Sequence, residues 1–592
     1  MIMNQHPDFL LNEVNEPADI KSMSLDELKQ LAAEMRQLIL ERDEKIGGHV
    51  GPNLGIVETT LALHYVFNSP HDKIVWDVSH QCYAHKMLTG RKQGFLDPDH
   101  YDEVSGFTAP EESDHDFFKV GHTSTSIALA DGLAIARDKL GKTDNVIAVI
   151  GDGSLSGGLA FEGLNNAAKL HSNLIIVVND NNMSIDKNQG GLYKGLKELR
   201  DTQGQSANNI FKFMGLDYRY VEEGNDLSAM IKVFQDVKDI DHPIVLHVHT
   251  LKGKGFKPAE ENEMEYHWRG PFDPQTGKST EPAAKESYSV AVIDELEKQV
   301  AAGVPIMAMN AAIPGMFDLK RFQAKYPDNY WDSGIAEQEC VTSAVAMATR
   351  GIRPVVFMSS TFLQRAYDQL VHDVALNDAP IVMIVRGGTI SSESATHQGS
   401  LDISFIKNIP NLEYLTPTNL EEMMSMLKWA IKQTDTPILI RQPEKPVIHG
   451  QASQTDYSNI DYNVAHQGNK VAIMAVGDFW QLGERVRKLM KQQLHIDASL
   501  INPESVTGID QQDLHYLQED HDLVVTLEDG TVHGGFGETV ARYYGPTDMK
   551  VLSFGAPREF ADNVPLNVLY EWYHLTPQQI VDDVERVLYS SL

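Results

Sequence analysis

The chain has 592 residues, of which 42% are hydrophobic, 22% charged and 8% aromatic. At roughly 150 residues per domain that leaves room for three or four domains with ample core. Fifty basic residues against 83 acidic ones give a net charge of −33, which argues against a nucleic-acid surface or an anionic membrane, since both repel a polyanion.

Two cysteines, Cys82 and Cys340, cannot build a disulfide framework. No stretch approaches about 20 uninterrupted apolar residues, and the opening MIMNQHPDFLLNEV lacks the basic and apolar regions of a signal peptide. The expectation is a cytoplasmic protein. In chain order, Ser24 and Glu27 form a capping-box pattern ahead of a helix whose face is Leu28, Leu31, Met35 and Leu38. Residues 146–150 (VIAVI), 174–178 (LIIVV) and 244–248 (IVLHV) are nearly all apolar, as parallel strands covered on both faces must be. Segments such as residues 126–140 read as the helices that alternate with them. The same alternation restarts with strands at 354–357, 381–385 and 438–440, and again at 471–476, 498–501 and 523–527. The pattern predicts an α/β chain of three doubly wound domains. Polar, aperiodic stretches at 260–286 and 442–469 place the boundaries near 283 and 460, giving domains 1–283, 284–459 and 460–592. Residues 97–116 and 187–206 read as long polar loops of the kind that often lie at ligand sites.

The most informative stretch follows the first of these strands: Gly151, Asp152, Gly153, Ser154, then Gly157 and Gly158. The next strand runs into Asn179, Asp180, Asn181, Asn182 and Met183. One helix and one strand between Asp152 and Asn181 bring both to neighbouring strand ends, the edge where open α/β sheets bind ligands. A carboxylate and an amide oxygen are hard ligands suited to Mg²⁺, which completes its octahedron with phosphate oxygens or water. The glycines let backbone amides approach a phosphate. A lone Asp-Gly after a strand is usually a turn; the pairing with Asn-Asp-Asn-Asn one strand later is what points to a metal–diphosphate site.

This constellation resembles the thiamine diphosphate signature of transketolase-like enzymes. GGHVGPNLG, LALHYVFNSPHDKIVWDVSHQCYAHKMLTGR, GHTSTSIALADG, KGKGFKPAE, GIAEQ, STFLQRAYDQLVHDVAL, THQGSLDISF and EDGTVHGGFGETV narrow the resemblance to the 1-deoxy-D-xylulose 5-phosphate synthase family, over about residues 25 to 580. The resemblance implies two thiamine diphosphate-binding-type parallel-sheet domains, diphosphate then pyrimidine, followed by a transketolase C-terminal-like α/β domain. It implies a homodimer that uses thiamine diphosphate and Mg²⁺ to condense pyruvate with D-glyceraldehyde 3-phosphate, feeding isoprenoid, thiamine and pyridoxal synthesis. Asp152, Asn181 and the carbonyl of Met183 correspond to metal ligands. Gly153, Ser154, His80, Gly121, His122, Thr123 and Phe256 correspond to cofactor contacts, with Phe256 standing where tyrosine is common. Glu337 in GIAEQ corresponds to the catalytic glutamate, a buried acid that controls the proton on the aminopyrimidine ring. Phe362 either stacks on that ring or serves as a core aromatic. His49, His80 and His122 are expected along the cofactor and substrate channel, handling protons, and His267 resembles a loop histidine of the family.

For the acceptor phosphate, Arg365, Arg386 and Arg441 match family cations, and Glu393 with His397 fits an acid–histidine pair. Several positions depart from the family pattern. Its Asp-Arg-Ala-Gly reads Val385, Arg386, Gly387, Gly388, and its Arg-Tyr-Pro-Arg reads Arg441, Gln442, Pro443, Glu444. Ser359 replaces a tyrosine, Ser79 a glycine and Glu339 a histidine, while Lys445 offers a point charge beside the lost arginine. The departures gather in the second block, so two alternatives stand beside the synthase: a transketolase-type or acyloin-forming carboligase with another acceptor, and a cofactor-binding paralogue without turnover.

Overall fold

A computed structural model describes residues 6–185, 187–280, 282 and 286–589. The chain divides into two compact units, Met1–Ala283 with Gly334–Ala336, and Ala284–Ser333 with Glu337–Leu592. The helix Leu25–Ile46 opens on the expected box: the Ser24 side chain accepts from the Glu27 amide, and the Glu27 carboxylate accepts from the Ser24 amide. Leu28, Leu31, Met35 and Leu38 are all buried.

The first unit holds a five-stranded sheet of β1 (Lys73–Trp76), β2 (Val146–Gly151), β3 (Leu174–Asp180), β4 (Asp217–Val221) and β5 (Pro243–His249), all parallel, in the order β1-β2-β3-β5-β4. Its strands are apolar throughout because each face meets its own layer. Ala148, Ile150, Ile176 and Val178 pack with Ile127, Leu164 and Leu199 on one side. Ile147, Val149, Ile175 and Val177 pack with Leu63, Met230 and Phe234 on the other.

Two findings concern the polar stretches, the first of them a correction. Residues 187–206, expected as a loop, contain the helix Gly191–Asp201, with Leu196 and Leu199 buried. Two glycines and five charged residues hid it, although Leu192, Tyr193, Leu196 and Leu199 recur at helical spacing. The stretch from Glu260 is not a free linker over its whole length: Arg269 bridges Gly48, Phe272 bridges Ser279, and Tyr266 and Phe272 are each 2% exposed in the core against the first helix.

The second unit holds two sheets. β6 (Ile306–Asn310), β7 (Tyr330–Asp332), β8 (Arg353–Ser359), β9 (Val382–Arg386), β10 (Glu413–Leu415) and β11 (Ile438–Arg441) are all parallel, in the order β10-β11-β9-β8-β6-β7. β12 (Asn463–His466), β13 (Lys470–Ala475), β14 (Ser499–Asn502), β15 (His521–Thr531) and β16 (Lys550–Ala556) form a mixed sheet whose edge strand β12 runs antiparallel to β14. One hydrophobic cluster joins the two, with Val356, Met383 and Leu439 beside Ala472, Met474, Ile501 and Val524. The described residues thus form three α/β sheets, one in the first unit and two in the second, and two of the three are wholly parallel.

Candidate active site

In the first unit the carboxyl edge of the sheet gathers the motif residues. β2 and β3 are neighbours, Gly151 pairs with Asn179, and the Asp152 amide donates to the Asn179 carbonyl at 3.1 Å. The glycine at 153 is required by a close approach: a Cβ there would lie 2.5 Å from Ser184 Cβ, so the two motifs are in contact. Ser124 joins them. Its hydroxyl donates to the Ser154 carbonyl at 2.7 Å, and its amide donates to Asp77 Oδ1 at 2.8 Å. Asp77 also accepts from the Ser126 amide at 3.0 Å, at the start of the helix Ser126–Lys139. The end of the segment Gly121–Thr123 is thereby tied, through Ser124, to Ser154. Ser79 sits at φ 64, and its hydroxyl is fixed between the Val120 carbonyl and the Thr108 amide.

Asp152 is buried, and burial followed by the charge of Asp180 pushes its carboxyl well above the usual range. It accepts from Asn188 Nδ2 at 2.6 Å. Asp180 behaves oppositely. Against the upward pull of burial, His247 Nε2 at 2.7 Å and the guanidinium of Arg200 hold its carboxyl down to about 2. The helix Gly191–Asp201 supplies that arginine, and its Tyr193 hydroxyl donates to the Gly153 carbonyl at 3.1 Å. Asn181 Oδ1 is buried with no hydrogen-bond partner among the described residues. A buried acceptor left unmade costs about 1–3 kcal/mol, and a buried carboxyl forced towards protonation is a second unmet demand. A hard divalent cation meets both, so the residues present fit Mg²⁺ with a diphosphate. Met183 makes a bridge with Lys187 in the turn after Asn182, whose φ is 64.

Three histidines meet nearby on this unit. The ring centroids of His49 and His80 are 5.0 Å apart, those of His80 and His267 5.1 Å, and Phe107 stands 5.6 Å from His49. Asn53 Nδ2 ties the carbonyls of His49 and His80, at 2.8 and 2.7 Å. Lys252, 2% exposed, donates to the Ser184 carbonyl at 2.6 Å and lies 3.2 Å from His267 Nδ1. Burial first, then Lys252 and the two other histidines, push the His267 imidazole far below its ordinary value. His122 stands on the loop before the helix Ser126–Lys139. Phe256 packs into an aromatic group with Tyr266 and Phe272, at 5.5 and 6.1 Å.

In the second unit Glu337 opens the helix Glu337–Ala348 at 6% exposure. Burial pushes its carboxyl up, and Arg365, 3.7 Å away, opposes that. Phe362 stands edge-on to His397 at 5.9 Å. Burial holds the His397 imidazole down to about 4, and its Nδ1 is 2.9 Å from the Thr396 hydroxyl. Two expected phosphate cations have other partners. Arg441 is 5% exposed, with its Nε 2.7 Å from Asp402 Oδ2 and its Nη2 2.6 Å from the Asp529 carbonyl. Arg386 Nε lies 3.1 Å from both carboxylate oxygens of Glu444. Glu393 lies in the loop before His397. Sequence reasoning missed Asn53, Arg200, Tyr193 and Lys252. Helical spacing carried a signal for Tyr193 and Arg200, and Asn53 and Lys252 stand inside the motifs GGHVGPNLG and KGKGFKPAE without being singled out there.

Comparison with known proteins bears on the whole chain. Residues 11–209 match the family model described as 1-deoxy-D-xylulose-5-phosphate synthase. Residues 285–447 match the transketolase pyrimidine binding domain, and residues 461–580 the transketolase C-terminal domain. The chain is 37% identical over 619 residues to the 1-deoxy-D-xylulose-5-phosphate synthase of Desulforudis audaxviator (strain MP104C), covering 97% of each. It is 37% identical over 617 residues to that of Clostridium tetani (strain Massachusetts / E88), covering 98% of this chain and 99% of the relative.

Proposed function

The chain belongs to the 1-deoxy-D-xylulose-5-phosphate synthase family, and on that footing we propose that it condenses pyruvate with D-glyceraldehyde 3-phosphate, releasing carbon dioxide and 1-deoxy-D-xylulose 5-phosphate. The cofactors in this reading are thiamine diphosphate and Mg²⁺. The observation that carries it is the buried Oδ1 of Asn181, without a hydrogen-bond partner among the described residues, one strand over from the buried carboxyl of Asp152. Those two oxygens, with the Met183 carbonyl, would ligate the metal. Gly153, Ser154 and Gly121–Thr123 would face the diphosphate, and Phe256 and Phe362 would complete the cofactor contacts. When bound, thiamine diphosphate supplies an acidic thiazolium carbon and a sink for the electrons left by decarboxylation.

Glu337 holds a proton more readily than an ordinary glutamate because it is buried, which suits an acid that shares a proton with a ring nitrogen. His49 and His80, with the neutral His267 against Lys252, and His122 on its loop, would exchange protons with substrate oxygens. His397 and Arg365 would flank the acceptor, with Glu393 and Arg386 further out. Arg441 is left out of the acceptor contacts because its guanidinium is spent on Asp402. The same reading takes the enzyme to be a cytoplasmic homodimer that feeds isoprenoid, thiamine and pyridoxal synthesis. Both cysteines are buried and unpaired, which suits a reducing compartment. No helix among the described residues is long and apolar enough to cross a membrane.

With thiamine diphosphate and Mg²⁺ present, carbon dioxide release from pyruvate should accelerate when D-glyceraldehyde 3-phosphate is added, and the product should have the mass of 1-deoxy-D-xylulose 5-phosphate. Release that ignores the aldehyde would refute this acceptor. A second reading, a carboligase with an unphosphorylated acceptor, is favoured by the Arg386–Glu444 contact; a panel of aldehydes scored by product mass separates the two.

A further inference from the structure

We propose that Glu444 is a specificity-determining residue: it fills the cationic place that would select a phosphate-bearing acceptor, so that the chain discriminates weakly between phosphorylated and unphosphorylated short aldehydes. This rests on the reading above that Arg386 lies on the outer side of the acceptor, where its phosphate would reach.

Arg386 is the last residue of β9, at the carboxyl edge of a parallel sheet where ligands bind. Its side chain is 33% exposed and that of Glu444 21%. A phosphate ester is best held by a guanidinium fork together with backbone N–H groups. Both kinds of donor are present here, and Glu444 has taken both. Arg386 Nε lies 3.1 Å from each carboxylate oxygen, and the Gly387 amide donates to Oε1 at 2.7 Å. The remaining reach of the fork goes to the Met316 carbonyl. Glu444 is itself fixed, because its amide donates to Asp478 Oδ2 at 2.9 Å.

Neither Arg441 nor Lys445 restores the lost charge. Arg441 is locked on Asp402 and the Asp529 carbonyl. Lys445, next in sequence to Glu444, donates to the Asp478 carbonyl at 3.1 Å and lies over the rings of Phe479 and Tyr570 at 4.9 and 5.9 Å. Glu393 adds a further carboxyl within electrostatic range of Glu444. A dianionic acceptor therefore meets a carboxylate that must be displaced or protonated, whereas a neutral aldehyde meets no such opposition. The sequence departure at Glu444 thus removes one cation and also occupies another.

The test uses the holoenzyme with pyruvate, saturating thiamine diphosphate and Mg²⁺, and two acceptors, D-glyceraldehyde 3-phosphate and D-glyceraldehyde. In Glu444→Gln the ratio of kcat/KM for the phosphorylated over the plain aldehyde should rise on the order of ten- to a hundredfold, the worth of one charge-assisted hydrogen bond. A ratio that stays within about threefold of the wild type overturns the proposal. Glu444→Asp, shorter by one methylene, should move the ratio in the same direction by less, and serves if the glutamine variant does not fold. Calorimetric binding of D-glyceraldehyde 3-phosphate without pyruvate gives an independent readout. Its Kd should fall by the same factor in Glu444→Gln and lose that gain in the Arg386→Gln, Glu444→Gln double variant. If no acceptor is turned over, the proposed activity fails, and the Kd alone decides: tightening supports the role of Glu444, and an unchanged Kd overturns it.

Discussion

Replacing Asp402 by asparagine asks whether Arg441 serves the substrate or the fold. Asp402 is fully buried; its carboxylate accepts from Arg441 Nε at 2.7 Å, Arg441 Nη2 at 3.3 Å and the Tyr414 hydroxyl at 2.6 Å. At an effective dielectric of about 20, opposite charges at that separation attract by about 6 kcal/mol. Removing one partner of such a pair costs about 3–5 kcal/mol, because the other charge stays buried without compensation. The asparagine keeps the shape and one acceptor for Tyr414, so the loss falls on the guanidinium, which retains the Asp529 carbonyl. At about 2 °C per kcal/mol for a large domain, the melting temperature should drop by roughly 6–10 °C. Differential scanning fluorimetry gives that figure, and the KM for D-glyceraldehyde 3-phosphate, measured at a temperature where the variant is folded, should be little changed. Asp402→Leu with Arg441→Met, which removes both charges, should recover most of the stability. An unchanged melting temperature together with a KM raised tenfold or so would show Arg441 to be a substrate cation and refute the reasoning.

Asn181→Ala should leave the melting temperature of the metal-free protein unchanged or slightly raised, since it removes a buried acceptor that has no partner among the described residues. The same change should weaken Mg²⁺-dependent thiamine diphosphate binding by about tenfold or more, followed by quenching of tryptophan fluorescence. Glu337→Gln should lower kcat by about 10²–10⁴ while circular dichroism stays that of the wild type. A loss smaller than tenfold would remove Glu337 from proton control. His397 has its imidazole held down to about 4 against an ordinary 6.5, so the unfolded chain takes up its proton first as pH falls. Its contribution to stability is present above pH 6.5 and is lost between pH 6.5 and about 4. Histidine NMR should show this ring uncharged at pH 5.5, and His397→Asn should flatten the acid limb of the stability curve.

What was legible in the sequence was what the chain carries locally. Asp152 and Asn181 each follow an apolar strand, and parallel pairing of adjacent strands is enough to bring them to one edge. The Ser24 box declares its helix within four residues. The contacts of Lys252 were illegible, although it opens the motif KGKGFKPAE, because a lysine in Lys-Gly-Lys-Gly looks solvated. Only the fold sets it between the Ser184 carbonyl and His267, 68 and 15 positions away. Arg200 was obscured by reading the helix Gly191–Asp201 as a loop, and its partner Asp180 lies 20 positions back. The acceptor cations carry the lesson furthest. A motif locates a cation, but the charge it can offer depends on its counter-ion. For Arg441 that counter-ion comes from 39 positions away, and for Arg386 from 58. In sequence, Arg386 reads as an intact phosphate contact and Glu444 as a separate substitution. In space the second cancels the first. The charge available at the end of β9 is therefore a property of the Arg386–Glu444 pair, and neither residue alone predicts it.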